Sequence, residues 1–230
     1  MKPTFGRVPT TGHFPRVGER SDGRTQIGPI ARSVRGAATA LAVIAGPDER
    51  DAGAPPVALG APADVRVEGL RVAWSLGDDA WRPARAIRDA VERCVQQLGD
   101  AGATITRETS FELDASFDIT KRYWSRVRGA LPADDADRHL VDWDRYRARM
   151  LKAHADIDVV IMPTTADVAP PHQPVREEDY IFTLPASLTG APAAALPVHT
   201  NSAMPIAVQI VGRQWRDDVV LCVAALLEGA

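Results

Sequence analysis

The chain of 230 residues has few of the residues that mark a metal or redox site. It contains two cysteines, Cys94 and Cys222, which lie far apart in apolar, helix-like contexts. No C-x-x-C pair or Cys/His cluster is present, so no metal ligand set is indicated, and free structural thiols in a reducing compartment are the simplest interpretation. We therefore expect no metal and no cofactor.

Long apolar runs and a basic excess are also missing. The longest apolar run, residues 37–45, is interrupted by Thr39 and is far shorter than the ~20 residues of a membrane span. The N-terminus lacks the charged and apolar regions of a secretory signal. The net charge is −3, and no basic stripe alternates with aromatic residues, which argues against nucleic acid binding. We expect a cytoplasmic protein that binds neither nucleic acid nor membranes.

The common signatures of a catalytic nucleophile are absent. None of the eight serines is next to a glycine, and the chain has no Gly-Gly pair. The G-x-S-x-G elbow, the P-loop and the G-x-G-x-x-G fingerprint do not occur. No two of the five histidines have the spacing of metal ligands, and each is most simply a surface or hydrogen-bonded residue. A Ser/His/Asp triad assembled from distant residues is left open.

Hydrophobic residues make up 45% of the chain, enough for a sizeable core. Strand-like runs alternate with amphipathic segments, and "DVVIMP" is typical of a strand buried on both faces. Strands are expected within 70–76, 98–109, 158–163, 194–200 and 205–212, and helices or amphipathic segments within 33–46, 82–98, 111–128, 140–155 and 217–227. This order predicts an α/β fold with a mixed β-sheet flanked by helices, in which the first two strands pair in parallel.

Two further segments are interpreted by composition. Residues 47–64 are rich in Pro, Ala, Gly and Asp, which favours a surface linker. Asp134 and Asp135 are most simply part of a solvated turn.

Four separate blocks of sequence resemble the amidase-signature hydrolases. "KPTFGRVP" and "IGPIARSVRGAATALAVIAGPDERD" are similar to the family's G-x-KPT-x-GR-V element and the G-P-x-x-R-[ST]-V helix that follows it. "DVVIMPTTADVAP" is similar to its P-T-T element. "FTLPASLTGAPAAALPV" and "MPIAVQIVGRQWRDDVVLCVAALLE" are similar to its last two blocks, with Ser187 where the family usually has Asn.

The resemblance implies amide or ester hydrolysis by a Ser–cis-Ser–Lys triad, on a partial amidase-signature fold. In the family these three residues lie before the KPT element, and this sequence begins at KPT. Residues 1–230 would then be the C-terminal portion of one amidase-signature domain, and no catalytic residue is carried over. Lys2 corresponds to the lysine of KPT and not to the catalytic lysine.

The resemblance also implies that loops of the C-terminal half complete the pocket. The candidate substrate-binding residues are Thr25, Gln26, Pro163, Thr164, Thr165, Tyr180, Phe182 and Thr183. Each could also be a turn or packing residue, although loops at strand ends carry binding residues disproportionately often.

Three hypotheses follow. The chain is part of an amidase that is inactive alone and acts on a small amide once an N-terminal half completes it. Alternatively, it is a non-catalytic pseudo-amidase that binds a ligand or partner, or an enzyme with a different active site. Because a missing half would leave apolar surface and sheet edge uncovered, we also expect self-association.

Overall fold

A computed structural model describes residues 1–13, 24–170, 172, 174, 176–198 and 204–228. Its centre is a sheet of five strands in the order β2-β1-β3-β5-β4. β1 pairs in parallel with β2 and β3, whereas β5 is antiparallel to β3 and β4. The predicted mixed α/β fold is confirmed. The strands are β1 (Arg71–Trp74), β2 (Thr104–Glu108), β3 (Val159–Pro163), β4 (Ala193–Val198) and β5 (Ile206–Gly212).

Helices cover both faces of this sheet. A short 3-10 helix, Pro62–Asp64, precedes β1, and a second, Glu177–Thr183, leads directly into α5. The α-helices are α1 (Val34–Ile44), α2 (Arg85–Asp100), α3 (Leu113–Val127), α4 (Ala133–Ala153), α5 (Leu184–Thr189) and α6 (Asp217–Leu227).

The alternation of side chains along β3 divides the core in two. Val159 and Ile161 face the cluster built with α1, α2 and α6, while Val160 and Met162 face the cluster built with α3, α4 and α5. All five residues of β3 are buried. A continuous apolar strand is the expected sequence for this position, because both of its faces are covered.

The start of α1 follows from local chemistry. The hydroxyl of Ser33 accepts a hydrogen bond from the Gly36 amide at 3.1 Å, as predicted for an N-cap. The helix ends before Gly46, whose φ of 112° lies in the region that favours glycine.

Two helical segments differ from the sequence prediction. α4 begins at Ala133, seven residues before the predicted start at 140, and the predicted turn at Asp134–Asp135 is its first turn. Carboxylates are stabilised there because the unpaired amides of a helix N-terminus carry partial positive charge. The second 3-10 helix and α5, residues 177–189, have no counterpart among the helices expected from sequence.

Other predicted elements agree. β4 and β5 are neighbours, as expected, and the last two residues of the predicted strand 194–200 lie outside the described residues.

Within 47–64, the carbonyls of Val57 and Ala58 accept hydrogen bonds from Arg7. Among the described residues, no helix is both long and apolar enough to cross a membrane.

Candidate functional site

The first residues of the chain lie beside β4. Lys2 and Ala193 exchange two backbone hydrogen bonds, of 2.7 and 2.8 Å. The Phe5 amide donates to the Gly190 carbonyl at 3.0 Å. The KPT element is therefore attached to the sheet next to the turn between α5 and β4.

The half-buried side chain of Lys2 joins three segments. Its Nζ donates to the carbonyls of Pro3 and Ala191 and to Gln26 Oε1, the last at 2.8 Å. Burial lowers the pKa of this ammonium to about 7, and the Asp217 carboxylate acts in the opposite direction. All three direct partners of Nζ are neutral oxygens. By binding both Gln26 and Ala191, Lys2 holds the loop around Gln26 against the segment that leads into β4.

Thr4, Arg7 and Asp217 form a buried polar cluster. Asp217 accepts from the Thr4 amide and hydroxyl, both at 2.8 Å, and from Arg7 Nε at 3.2 Å. Arg7 and Asp217 are 1% and 0% exposed. A buried charge is tolerated when it is paired and hydrogen-bonded, and here the two charges satisfy one another.

Arg7 also satisfies backbone groups around it. Its Nη1 donates to the carbonyls of Val57 and Ala58, at 2.7 and 3.0 Å, and its Nη2 donates to the Trp215 carbonyl at 3.2 Å. The guanidinium lies 4.8 Å from the centre of the Trp215 ring. The KPT-x-GR residues therefore connect residues 1–8 with the 47–64 segment and α6. We call the group formed by Thr4, Arg7 and Asp217 the clasp.

Of the predicted binding residues, Thr25 and Gln26 lie in the loop that Lys2 contacts. Both are half-buried, and Gln26 is the residue held by Lys2. They belong to the loop that leads into Gly28, where an added Cβ would clash with the Met1 carbonyl oxygen. The close approach of these two segments requires glycine at that position.

Pro163, Thr164 and Thr165 lie at the C-terminal end of β3. Pro163 pairs with Val208 of β5. The Thr165 hydroxyl donates to the Asp167 carbonyl at 2.8 Å. The Thr164 hydroxyl is buried and makes no hydrogen bond to any of the described residues.

Tyr180, Phe182 and Thr183 belong to the second 3-10 helix. Tyr180 is 53% exposed, whereas Phe182 is fully buried. The Thr183 hydroxyl donates to the Tyr180 carbonyl at 2.8 Å, and Gln209 Nε2 of β5 donates to the Phe182 carbonyl at 2.9 Å.

These positions divide the predicted residues into two groups. Gln209 is adjacent to Val208, the partner of Pro163, so the β3 end and the 3-10 helix meet at the same end of the sheet. Gln26 lies instead beside Ala191, which precedes the first residue of β4. The substrate-binding role of these residues stays a prediction.

The described serines hydrogen-bond to nearby backbone. Each makes a bond to a backbone atom within four residues, and none of these bonds involves a histidine or lysine side chain; the residues are Ser33, Ser75, Ser110, Ser116, Ser125 and Ser187. Ser21 and Ser202 lie outside the described residues. Among the described residues, no group of three acidic, Cys or His side chains could hold a metal ion.

The partners that fix these loops are not apparent from the sequence. Gln209 and Asp217 lie within recognisable motifs that assign them no role. Two features of the sequence bear on the role of Asp217. It lies in the first turn of an apolar predicted helix, and an arginine that could pair with it occurs in the KPT-x-GR motif. Nothing in the sequence alone pairs Arg7 with a residue 210 positions away.

Comparison with protein families gives a match over most of the chain. The family model described as Amidase matches residues 1–138 and 118–221. Among curated proteins, a glutamyl-tRNA(Gln) amidotransferase subunit of Lacticaseibacillus casei is 25% identical and is matched over 99% of this chain and 58% of its own length. AtzE of Pseudomonas sp., a 1-carboxybiuret hydrolase subunit, is 28% identical, with coverages of 99% and 57%. The chain thus spans somewhat more than half the length of these relatives.

Solved structures show the same fold. A 6-aminohexanoate cyclic dimer hydrolase complexed with substrate superposes with a TM-score of 0.77 and 22% identity, over 99% of this chain and 59% of that one. A chain of a vestigial protein complex related to an s-triazine catabolic enzyme superposes with a TM-score of 0.79 and 24% identity, over 99% and 57%. At these identities the likeness concerns the fold.

Proposed function

The chain belongs to the amidase family, and on that premise we propose that it forms the C-terminal portion of an amide hydrolase and lines part of its substrate site. The nucleophile and its base, a Ser–cis-Ser–Lys triad by family resemblance, would come from residues outside these 230. The observation that carries this proposal is the family match over nearly the whole chain, combined with coverage of just 57–58% of the curated relatives.

The environment of the candidate nucleophiles supports this assignment. A serine nucleophile needs a base within hydrogen-bond reach and donors for the oxyanion. The six described serine side chains instead bond to neighbouring backbone atoms. Lys2 donates to carbonyl-type oxygens and holds a loop, which is a structural role.

The substrate-binding role is proposed for the loops that lie at sheet ends. Thr164 and Thr165 follow β3, and Tyr180 and Thr183 belong to the 3-10 helix whose Phe182 carbonyl is bound by Gln209 of β5. The buried Thr164 hydroxyl has hydrogen-bonding capacity that the described residues do not use. Thr25 and Gln26 would contribute from the loop held by Lys2. A small-molecule amide is the proposed substrate class for the completed site.

Amide hydrolysis tests the proposal. We expect no turnover of simple amides or aryl esters by the purified chain. We expect turnover from a fusion in which the N-terminal portion of an amidase, carrying its Ser–cis-Ser–Lys triad, precedes Lys2. Turnover by the chain alone, abolished by one Ser→Ala substitution, would show that the active site is built from the residues present.

A second candidate function is a non-catalytic pseudo-amidase that binds a ligand or partner. Exposed apolar side chains favour association with another chain: Trp124 and Val127 on α3 are 37% and 39% exposed, and Val141 on α4 is 47% exposed. Light scattering together with the fusion distinguishes the cases. Self-association of a chain whose fusion shows no amide turnover supports the pseudo-amidase, turnover by the fusion supports the incomplete amidase, and a monodisperse monomer argues against a partner-binding role.

A further inference from the structure

A cavity of about 360 Å³ opens at the N-terminal end of β3, the opposite end from Pro163–Thr165. It is bounded by the end of α4, the start of β3, the end of β5 and the turn that follows β5. This volume falls within the range of clefts that hold small ligands. None of the predicted substrate-binding residues lines it.

The floor of this cavity is apolar and well packed. Phe111, Met150, Ile157, Val160 and Val211 line it, and each of these side chains is at most 5% exposed. A floor of this kind favours the apolar body of a ligand, because burying it removes apolar surface from water.

The rim carries an excess of positive charge. Asp158 is already held by Arg71, whose Nη2 and Nε donate at 2.9 and 3.1 Å. Arg213 is more loosely associated with the same carboxylate, at 3.6 Å, and its side chain is 48% exposed. Asp158 and Arg213 both line the opening, and Arg71, which binds Asp158 but does not line the cavity, brings the charge of this group to +1. Arg213 is the cation among the described lining residues.

His154 adds no charge to the rim at neutral pH. Its ring lies 4.6 Å from the Phe111 ring, and its Nε2 is 3.1 Å from the Thr109 hydroxyl. Burial and, secondarily, the Arg107 guanidinium lower the pKa of this imidazole, so it is neutral near pH 7. The ring therefore acts as a further flat wall.

Trp215 also lines the cavity. Its backbone conformation is one that few residues other than glycine adopt. Its φ is 66°, and such strain persists where the surroundings impose it. The clasp imposes it here: the Trp215 amide donates to the Thr4 hydroxyl at 3.0 Å, and its carbonyl accepts from Arg7. The clasp thereby fixes the Trp215 side chain beside this cavity.

We propose that this cavity binds a small aryl carboxylate. The ring packs on the apolar floor beside Trp215, and the carboxylate binds the Arg213 guanidinium. A single exposed cation beside an apolar floor matches a monoanion with an apolar body better than a multiply charged phosphate, and the guanidinium fork fits a carboxylate in a bidentate manner. The Pro163–Thr165 loop of the proposed amide-hydrolysing site lies at the other end of β3. Thr25 and Gln26 belong to this end, where Lys2 holds Gln26 next to Ala191, but neither of them lines the cavity.

Methyl NMR of the whole chain with ¹³C-methyl methionine tests the proposal, using benzoate as the probe. Met150 lines the cavity, whereas Met1, Met162 and Met204 do not, so they serve as internal controls. We expect a saturable shift of the Met150 signal, assigned with Met150→Leu, and about tenfold weaker binding of the neutral benzamide.

Arg213→Gln should weaken benzoate binding about tenfold, to the level of benzamide, while Arg213→Lys should retain part of the affinity. The matched control is Arg85→Gln, which removes an exposed arginine paired with Asp89 on α2. Benzoate that leaves the Met150 signal unchanged, shifts all methyl signals alike, or binds Arg213→Gln as tightly as the original chain would overturn the proposal.

Discussion

Arg7 and Asp217 form a buried ion pair, with 3.2 Å between Nε and Oδ2. The two residues are 210 positions apart, so the pair fastens the first segment of the chain to the first turn of α6. Thr4 binds the same carboxylate. The KPT-x-GR motif of this sequence thus stabilises the fold.

Asp217→Asn should strongly destabilise the protein. It removes the counter-charge of Arg7 and leaves a buried cation, which typically costs about 3–5 kcal/mol of unfolding free energy. Urea unfolding followed by circular dichroism measures this. Asp89→Asn, which breaks the exposed Arg85–Asp89 pair, is the control and should change stability by about 0.5 kcal/mol or less.

A double variant separates charge from packing in the clasp. Arg7→Met combined with Asp217→Leu removes both charges, so it should cost less than the sum of the two single changes. Additive losses would mean that the pair does not act as a unit.

Lys2→Met should loosen the loop before Gly28. The substitution removes the hydrogen bonds that Lys2 donates to the Ala191 carbonyl and to Gln26 Oε1, and we expect a loss of about 1–2 kcal/mol in unfolding free energy. Hydrogen exchange should increase for the amides around Gln26. Lys152→Met, at an exposed position near the end of α4, provides the comparison and should leave that exchange unchanged.

Gln209→Met should disturb the second 3-10 helix. The side chain volume is kept, but the buried Phe182 carbonyl loses the 2.9 Å hydrogen bond from Nε2. An unpaired buried acceptor costs about 1–3 kcal/mol. Thermal unfolding of this variant should be compared with Gln96→Met, which removes an exposed bond to Asp100 and should have little effect.

His139 should make the protein less stable in acid. Its ring is fully buried, and neither nitrogen has a hydrogen-bond partner among the described residues. Burial first, and then Arg122, Arg126 and Arg24 against the opposing Asp142, lower its pKa from 6.5 to about 4.

The sign of this pH effect follows from proton binding. Between about pH 6.5 and 4 the unfolded chain binds a proton that the folded chain does not. The unfolding free energy therefore falls as the pH decreases through that range, by roughly 2–3 kcal/mol from this residue. His139→Gln should flatten the profile in urea unfolding at several pH values, and a profile identical to that of the original chain would argue against the assignment. His172→Gln, on the surface, is the matched substitution.

β3 and α6 could be predicted because their sequence signals are local. β3 is a continuous apolar run buried on both faces, and α6 presents a helical apolar stripe with the predicted bounds 217–227. These patterns depend on the period of the side chains alone.

The segment 177–189 could not be predicted in the same way. Its helices are short, and their position depends on distant contacts such as Gln209 with the Phe182 carbonyl. The start of α4 is hard to predict for a different reason: paired aspartates are common in turns as well as in first helical turns.

The candidate binding residues were chosen by motif, and their substrate-binding role stays a prediction. The resemblance named Gln26 and Phe182 as candidate residues, but their partners, Lys2 and Gln209, are set by tertiary packing. The cavity beside Trp215 gave no sequence signal, because its walls come from α4, β3, β5 and the turn after β5.

The location of the nucleophile can be tested directly by intact-mass spectrometry after incubation with a serine-reactive fluorophosphonate. The chain is tested alone and fused behind the N-terminal portion of an amidase that carries the Ser–cis-Ser–Lys triad. We expect no adduct on the chain alone and one adduct on the added portion of the fusion. An adduct on a serine of this chain, lost together with amide turnover in the corresponding Ser→Ala variant, would contradict the proposal that the nucleophile lies outside these 230 residues.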